Sequence, residues 1–139
     1  MFLTKECDYG IRVIRALSDG YKKTVETIAE EEQVPKKFAY KIIKKLEKGG
    51  LVRSIRGRSG GYILDVELDS LTLYDIVIAL DANRYLNECL SDDNECPFRD
   101  HPTRPCSVHV ELKLTQDMLM EALKAKTMDK ILGKEEKNV

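Results

Sequence analysis

The apolar residues of this chain recur mostly at helical spacing, interrupted once by a glycine-rich hairpin pattern and once by a long polar stretch. Gly10, Val13, Ile14 and Leu17 follow Thr4, which suits an N-cap, with Glu6 and Asp8 in the first turn where the helix dipole favours acids. Asp19-Gly20 ends that helix. Thr24 can cap a second, short helix carrying Val25, Ile28 and Ala29, and Glu30, Glu31 and Glu32 lead to a turn at Gln33-Val34. Pro35 suits the first position of a third helix, where Ala39, Ile42, Ile43 and Leu46 form a buried stripe and Gly49-Gly50 stops it. Leu51 to Ile55 and Tyr62 to Val66 have strand character, and Arg56-Gly57-Arg58-Ser59-Gly60-Gly61 can turn a hairpin between them.

Thr72 with Asp75 forms a capping box ahead of a helix bearing Leu73, Ile76, Val77 and Leu80. Residues 81 to 104 are polar and broken by Pro97 and Pro102, with Pro105 just beyond. Ser107 to Met128 then reads as one long helix. It has one apolar strip at Val108, Leu112, Thr115, Leu119 and Ala122, and a second at Val110, Leu114, Met118 and Leu123. A helix apolar over so much of its girth is not satisfied by a small domain alone, so it is expected to pair with its copy in a homodimer. Helix, helix, turn, lysine-rich helix and hairpin is the order of a winged helix-turn-helix. The expected fold is mainly α with a small β-hairpin wing. The expected organisation is a winged helix-turn-helix domain at 1–80, a cysteine-containing loop at 81–106, a dimerisation helix at 107–132 and a charged tail at 133–139.

Charge sharpens this picture through its placement. The chain of 139 residues has a net charge of only −1. Between Pro35 and Gly60, however, nine lysines and arginines face the single acid Glu47, a net of +8 that leaves −9 elsewhere. Such a basic face on an otherwise acidic chain suits DNA. A 42% hydrophobic content supports a globular core. No stretch has the length of apolar residues a membrane helix needs, and MFLTKECDYG does not read as a signal peptide, so a cytoplasmic protein is expected. Paired carboxylates in a pocket-like context, a glycine-rich phosphate loop and a Ser/His/Asp pattern are all missing, so an enzyme is not expected.

Candidate chemistry lies in the polar loop. Cys89, Cys96 and Cys106, followed by His109, read C-x6-C-x9-C-x2-H. In a reducing compartment clustered thiols are ligands or redox groups more often than disulfides. A helix start at Cys106 lowers a thiol's pKa and can put His109 on the same face. The tight C-x2-C pair of structural zinc sites is lacking, though His109 keeps zinc open as the alternative metal. The spacing leaves an iron–sulfur cluster, zinc, and free or redox-switching thiols as the possible states. Cys7 reads as a packed, inert thiol and His101 as a solvated side chain.

MFLTKECDYGIRVIRAL, LEKGGLV, SIRGRSGGYIL and LTLYDIVIAL together resemble the Rrf-type winged-helix iron–sulfur regulators, with their IscR-like and NsrR-like members. The likeness covers Met1 to about Leu132. It implies a cluster, 2Fe–2S or 4Fe–4S, on Cys89, Cys96 and Cys106. The fourth ligand it implies is His109 by the IscR-like pattern or Asp8, from the partner subunit, by the NsrR-like pattern, with Asp8 slightly preferred. The family's usual loop spacing is shorter than x6 and x9. It also implies that Lys36, Lys37, Tyr40, Lys41 and Lys44 face the major groove and that Arg56 and Arg58 reach the minor groove or phosphates. Tyr40 stands where IscR-like members carry an acid, so their target sequence does not transfer.

The function this implies is a homodimeric DNA-binding regulator, more often a repressor, on a palindromic operator. The cluster would sense redox state, nitric oxide or iron–sulfur status. A cluster-free thiol switch or partner-controlled regulator of the same fold is the alternative, and a small electron-transfer protein a more distant one.

Overall fold

The computed structural model describes residues 3–80 and 84–134, so the first three residues of the expected cysteine loop and residues 135–139 of the expected tail lie outside the described residues. Helix α1 spans Lys5–Leu17, with the Thr4 hydroxyl accepting from the Cys7 amide at 3.3 Å. Helix α2 spans Val25–Glu32 behind the Thr24 cap. It ends where Gln33 takes a left-handed conformation, φ 54°. Helix α3, Lys36–Lys48, starts one residue after Pro35 and buries Ala39, Ile42, Ile43 and Leu46. The apolar stripe thus fixes which face of α3 is turned outward: the one that carries the lysines.

Strands β1 (Val52–Ile55) and β2 (Gly61–Leu64) pair antiparallel, Val52 opposite Leu64 and Ile55 opposite Gly61, one or two residues shorter than expected at their outer ends. A connection unforeseen in the sequence fastens this hairpin. Lys23, in the α1–α2 loop, exchanges both backbone hydrogen bonds with Tyr62 at 2.8 and 3.1 Å. Helix α4, Leu73–Leu80, opens on the expected capping box: the Thr72 amide donates to Asp75 Oδ2 at 2.9 Å and the Asp75 amide donates to Thr72 Oγ1 at 3.3 Å.

Helix α5 runs Ser107–Lys124 rather than to Met128. After Ala125–Thr127 a single further turn, α6 at Met128–Ile131, follows. The cause is packing. Met128 is fully buried in the core with Ile14, Leu17, Ile28, Ile42, Ile43, Leu46, Leu71 and Ile76, and a straight continuation of α5 would carry it away. Burial of one such side chain stabilises by about 1.5–3 kcal/mol, enough to outweigh one more helical turn. The Met128 amide donates to Leu71 O at 2.7 Å and the Asp129 amide to Leu68 O at 3.2 Å, fastening the end of α5 to the segment after the wing. Along α5 itself Val108, Val110, Leu114 and Met118 face outward, and Met118 is 74% exposed.

Candidate nucleic-acid interface and cysteine loop

Lys36, Lys37, Tyr40, Lys41 and Lys44 are all exposed on α3, and Arg56 and Arg58 are exposed at the hairpin tip. The tip is five residues, 56 to 60, between the strands. The lysines are not equivalent. Lys36 pairs with Glu26 of α2 at 2.7 Å, and this ammonium holds the Glu26 carboxyl below the usual glutamate range. Lys41 pairs with Glu6 of α1 at 2.7 Å, and Lys45 takes the other oxygen of the same carboxylate. Hydrogen bonds from Lys41 and then Lys45 hold Glu6 below its ordinary value. Lys44 lies 5.7 Å from the centroid of Tyr40 and 5.8 Å from that of Tyr62, with Glu47 at 3.5 Å. Tyr62 first and Glu47 second keep its ammonium protonated above the usual lysine range. Lys37, Arg56 and Arg58 make no ion pair among the described residues. Sequence reasoning missed Glu6 and Tyr62 as neighbours of the basic face, because Glu6 lies 35 or more residues from its lysines and Tyr62 lies on a different element from Lys44, and neither relation leaves a local pattern.

In the loop, Cys89, Cys96 and Cys106 are free, half-buried thiols, and Cys7 is a buried one. Cys89 sits in a single 3₁₀ turn, Glu88–Leu90, whose Cys89 amide donates to Asn87 Oδ1 at 3.2 Å. The Cys96 carbonyl accepts from the Arg99 amide at 3.3 Å, closing a turn. Cys106 is the N-cap residue of α5, at the positive end of the dipole, and its side chain makes no capping bond. His109 follows in the first turn. Its Nδ1 is buried and has no hydrogen-bond partner among the described residues, which is costly for a polar atom. His109 lines a cleft of about 270 Å³ with Tyr85, Leu90, Asp92, Arg99 and Lys113. His101 is exposed, its Nδ1 accepting from the Thr103 and Arg104 amides.

Asp8 is on α1, which packs on α2, α3, α4 and β2. Its carboxylate takes Lys5 at 2.9 Å and Arg12 at 3.2 Å, and hydrogen bonds from Lys5 and then Arg12 hold its pKa below the usual range. Three thiols and an unpartnered imidazole nitrogen are the right donor chemistry for iron–sulfur ligation. Their arrangement does not close: among the described residues no three His, Cys, Asp or Glu side chains gather closely enough to hold one metal ion.

The family model that matches this chain is described as "Rrf2: Iron-dependent Transcriptional regulator", and the match covers residues 3–134. The chain belongs to the Rrf2 family. It is therefore a DNA-binding transcriptional regulator, not an enzyme. Among Rrf2-like relatives, a chain from Aquifex aeolicus (strain VF5) named as a candidate HTH-type transcriptional regulator is 32% identical over 83% of this chain and 78% of its own. "Protein aau3" of Rhizobium meliloti (strain 1021) is 29% identical over 95% of this chain and 85% of its own. Two solved structures share the fold. CymR, described as the global cysteine regulator of B. subtilis, superposes with a TM-score of 0.71 at 22% identity over 98% of this chain and 99% of its own. IscR of T. potens superposes with a TM-score of 0.70 at 22% identity over 100% and 92%. No described helix is long and apolar enough to cross a membrane.

Proposed function

We propose that this Rrf2 regulator is a homodimer whose grip on a palindromic operator is set by an iron–sulfur cluster on Cys89, Cys96 and Cys106, with His109 or the partner's Asp8 completing the ligand set. The observation that carries this reading is the presence, in one loop and the helix after it, of three free thiols and a buried His109 Nδ1 with no partner among the described residues. When bound, such a cluster supplies one-electron chemistry and reactivity toward oxygen or nitric oxide. The chain's own residues do the rest. Lys36, Lys37, Tyr40, Lys41 and Lys44 present α3 to the major groove, and Arg56 and Arg58 carry the wing to the backbone or minor groove. The outward apolar residues Val108, Val110, Leu114 and Met118 of α5 support pairing with a second copy. The loop lies between α4 and α5, so a change in its shape moves the reading head relative to that pairing helix. Repression, the commoner outcome for such a regulator, follows when the loaded dimer occupies a promoter.

A second reading is favoured by the open donor arrangement: the loop acts as a cluster-free thiol switch, the cysteines themselves being oxidised or reduced. The CymR of B. subtilis, which shares the fold, is described as a cysteine regulator, and the CymR of Staphylococcus aureus, which shares it too, was solved in an oxidised form. Purification without oxygen, with visible absorption, iron and acid-labile sulfide measured together, separates the two. Absorption between roughly 320 and 460 nm with matched iron and sulfide supports the cluster. A colourless, iron-free protein that still binds promoter DNA supports the thiol switch.

A further inference from the structure

We propose that Glu6 is an internal competitor for DNA phosphate, a carboxylate that occupies Lys41 and Lys45 of α3 in the free protein and weakens sequence-independent binding. The inference rests on the reading that α3 faces DNA.

An acid in the first turn of a helix is ordinarily explained by the dipole. Glu6 does more than that duty asks. Its side chain leaves α1 and crosses to α3, where Oε1 accepts from Lys41 at 2.7 Å and Oε2 accepts from Lys45. One oxygen for each ammonium is how two non-bridging oxygens of a phosphate would take the same pair. Lys41 remains 56% exposed in its side chain, so a backbone phosphate can approach it, whereas Lys45 is further committed to the Leu80 carbonyl at 3.4 Å.

The competitor changes the charge seen by a duplex. Counted along the sequence, α3 offers six lysines. In three dimensions Lys41 and Lys45 share Glu6, Lys36 has Glu26 and Lys44 has Glu47. Of the acids involved, Glu6 alone takes two lysines. A phosphate that takes Lys41 must displace this carboxylate, and the freed carboxylate regains its own cations. Both effects reduce the net ion release that drives binding to any sequence.

The test is binding of the full chain to a random-sequence duplex over a range of salt. Glu6→Gln keeps the shape and loses the charge. It should tighten binding about three- to tenfold near 50 mM salt and steepen the salt slope by about 0.9–1.8, the increment of one to two phosphate contacts. Glu67→Gln, the same charge change at an exposed residue outside α3 and its partners, should move affinity less than about twofold at physiological salt, where screening acts within about 8 Å. An unchanged or shallower slope for Glu6→Gln overturns the proposal, as does equal tightening by Glu67→Gln. If Glu6→Gln does not fold, Lys41→Gln carries the test. A loss smaller than that of Lys37→Ala supports prior occupation of Lys41, and an equal or larger loss overturns it. Lys37→Ala also tests the underlying reading: if it leaves affinity untouched, α3 does not face DNA, whatever Glu6 does.

Discussion

The Lys44 ammonium lies 5.8 Å from the centroid of the Tyr62 ring, so α3 and the second strand of the wing touch through a cation and a ring. Tyr62 also holds the α1–α2 loop through both backbone bonds to Lys23. Its side chain therefore touches α3 while its main chain fastens the wing to the α1–α2 loop. Tyr62→Leu keeps an apolar body and the backbone pairing but removes the ring face. An exposed cation–π contact contributes about 0.5–1 kcal/mol. Where it aims Lys44 at the duplex, DNA affinity should fall by up to about two- to fivefold, and the thermal midpoint should fall by only a few degrees. Fluorescence anisotropy with labelled duplex reads the first and circular dichroism the second. A loss of stability without a loss of affinity would make Tyr62 a packing residue only.

Cations without an ion pair should matter more to DNA than those already held. Lys37, Arg56 and Arg58 are in the first group, and Lys36, held by Glu26, in the second. Lys37→Ala and Arg56→Ala should each weaken binding to all sequences and lower the salt slope by about 0.9. Lys36→Ala should cost less, because its phosphate contact is made at the expense of an existing pair. If Arg56→Ala binds as the wild type does, the wing tip does not reach the duplex.

The four helices and the hairpin of the winged domain were legible because their signals are local. Thr4, Thr24 and the Thr72–Asp75 box cap where a cap was expected, and the Ala39–Ile42–Ile43–Leu46 stripe sets the outward face of α3. What failed depended on contacts distant in sequence. The apolar strips along residues 107 to 128 cannot reveal that Met128 belongs to the core beside Leu71, so the break after Lys124 was unforeseen. Nor could the lysine count reveal that an acid on α1 takes two of those lysines. In the loop the cysteines were legible as candidate ligands, but proline and polar residues carry no period from which to read how closely their sulfurs approach.

The wing is attached where a glycine leaves room. A methyl group on Gly61 would lie 2.7 Å from the Lys23 carbonyl oxygen and 3.0 Å from the Lys22 side chain. The nearer neighbour is backbone, so it cannot swing aside. Gly61→Ala should break the Lys23–Tyr62 bridge and destabilise the fold by about 1–3 kcal/mol. Urea unfolding checks this, and a midpoint equal to that of the wild type would show that the α1–α2 loop gives way at no cost.

Glu6 also leaves a signature in acid. Lys41 and Lys45 depress its pKa in the folded chain, so the unfolded chain binds its proton first as the pH falls. Its contribution to stability is complete above the unfolded value, about 4.3, and is lost as the pH falls through the lower folded value. For a pair this close to solvent it is about 0.2–1 kcal/mol. Urea unfolding at several pH values should show Glu6→Gln less stable than the wild type at neutral pH, with the gap closing below about pH 4. A gap that persists at pH 3 would mean that glutamine disturbs packing rather than charge.

The two candidates for a fourth ligand can be separated because they differ in what else they touch. His109 Nδ1 is buried with no partner among the described residues, while Asp8 is already bound to Lys5 and Arg12. Replacing any of Cys89, Cys96 or Cys106 with serine should abolish the chromophore and the iron, since each is one of only three thiols in the loop. Cys7→Ser, at a buried position capped by Thr4, should leave the iron in place and reduce stability instead. His109→Ala removes a buried polar atom that has no partner among the described residues, so without a cluster it should be neutral or stabilising. If His109 is the ligand, the same change should lower iron retention severalfold in the loaded protein and leave the apo-protein at least as stable as before. Asp8→Asn should then change iron retention little. The reverse pattern, iron lost in Asp8→Asn and kept in His109→Ala, requires a carboxylate that gives up Lys5 and Arg12. It should appear only where the dimer forms, so iron content should then fall on dilution below the dimer's dissociation constant.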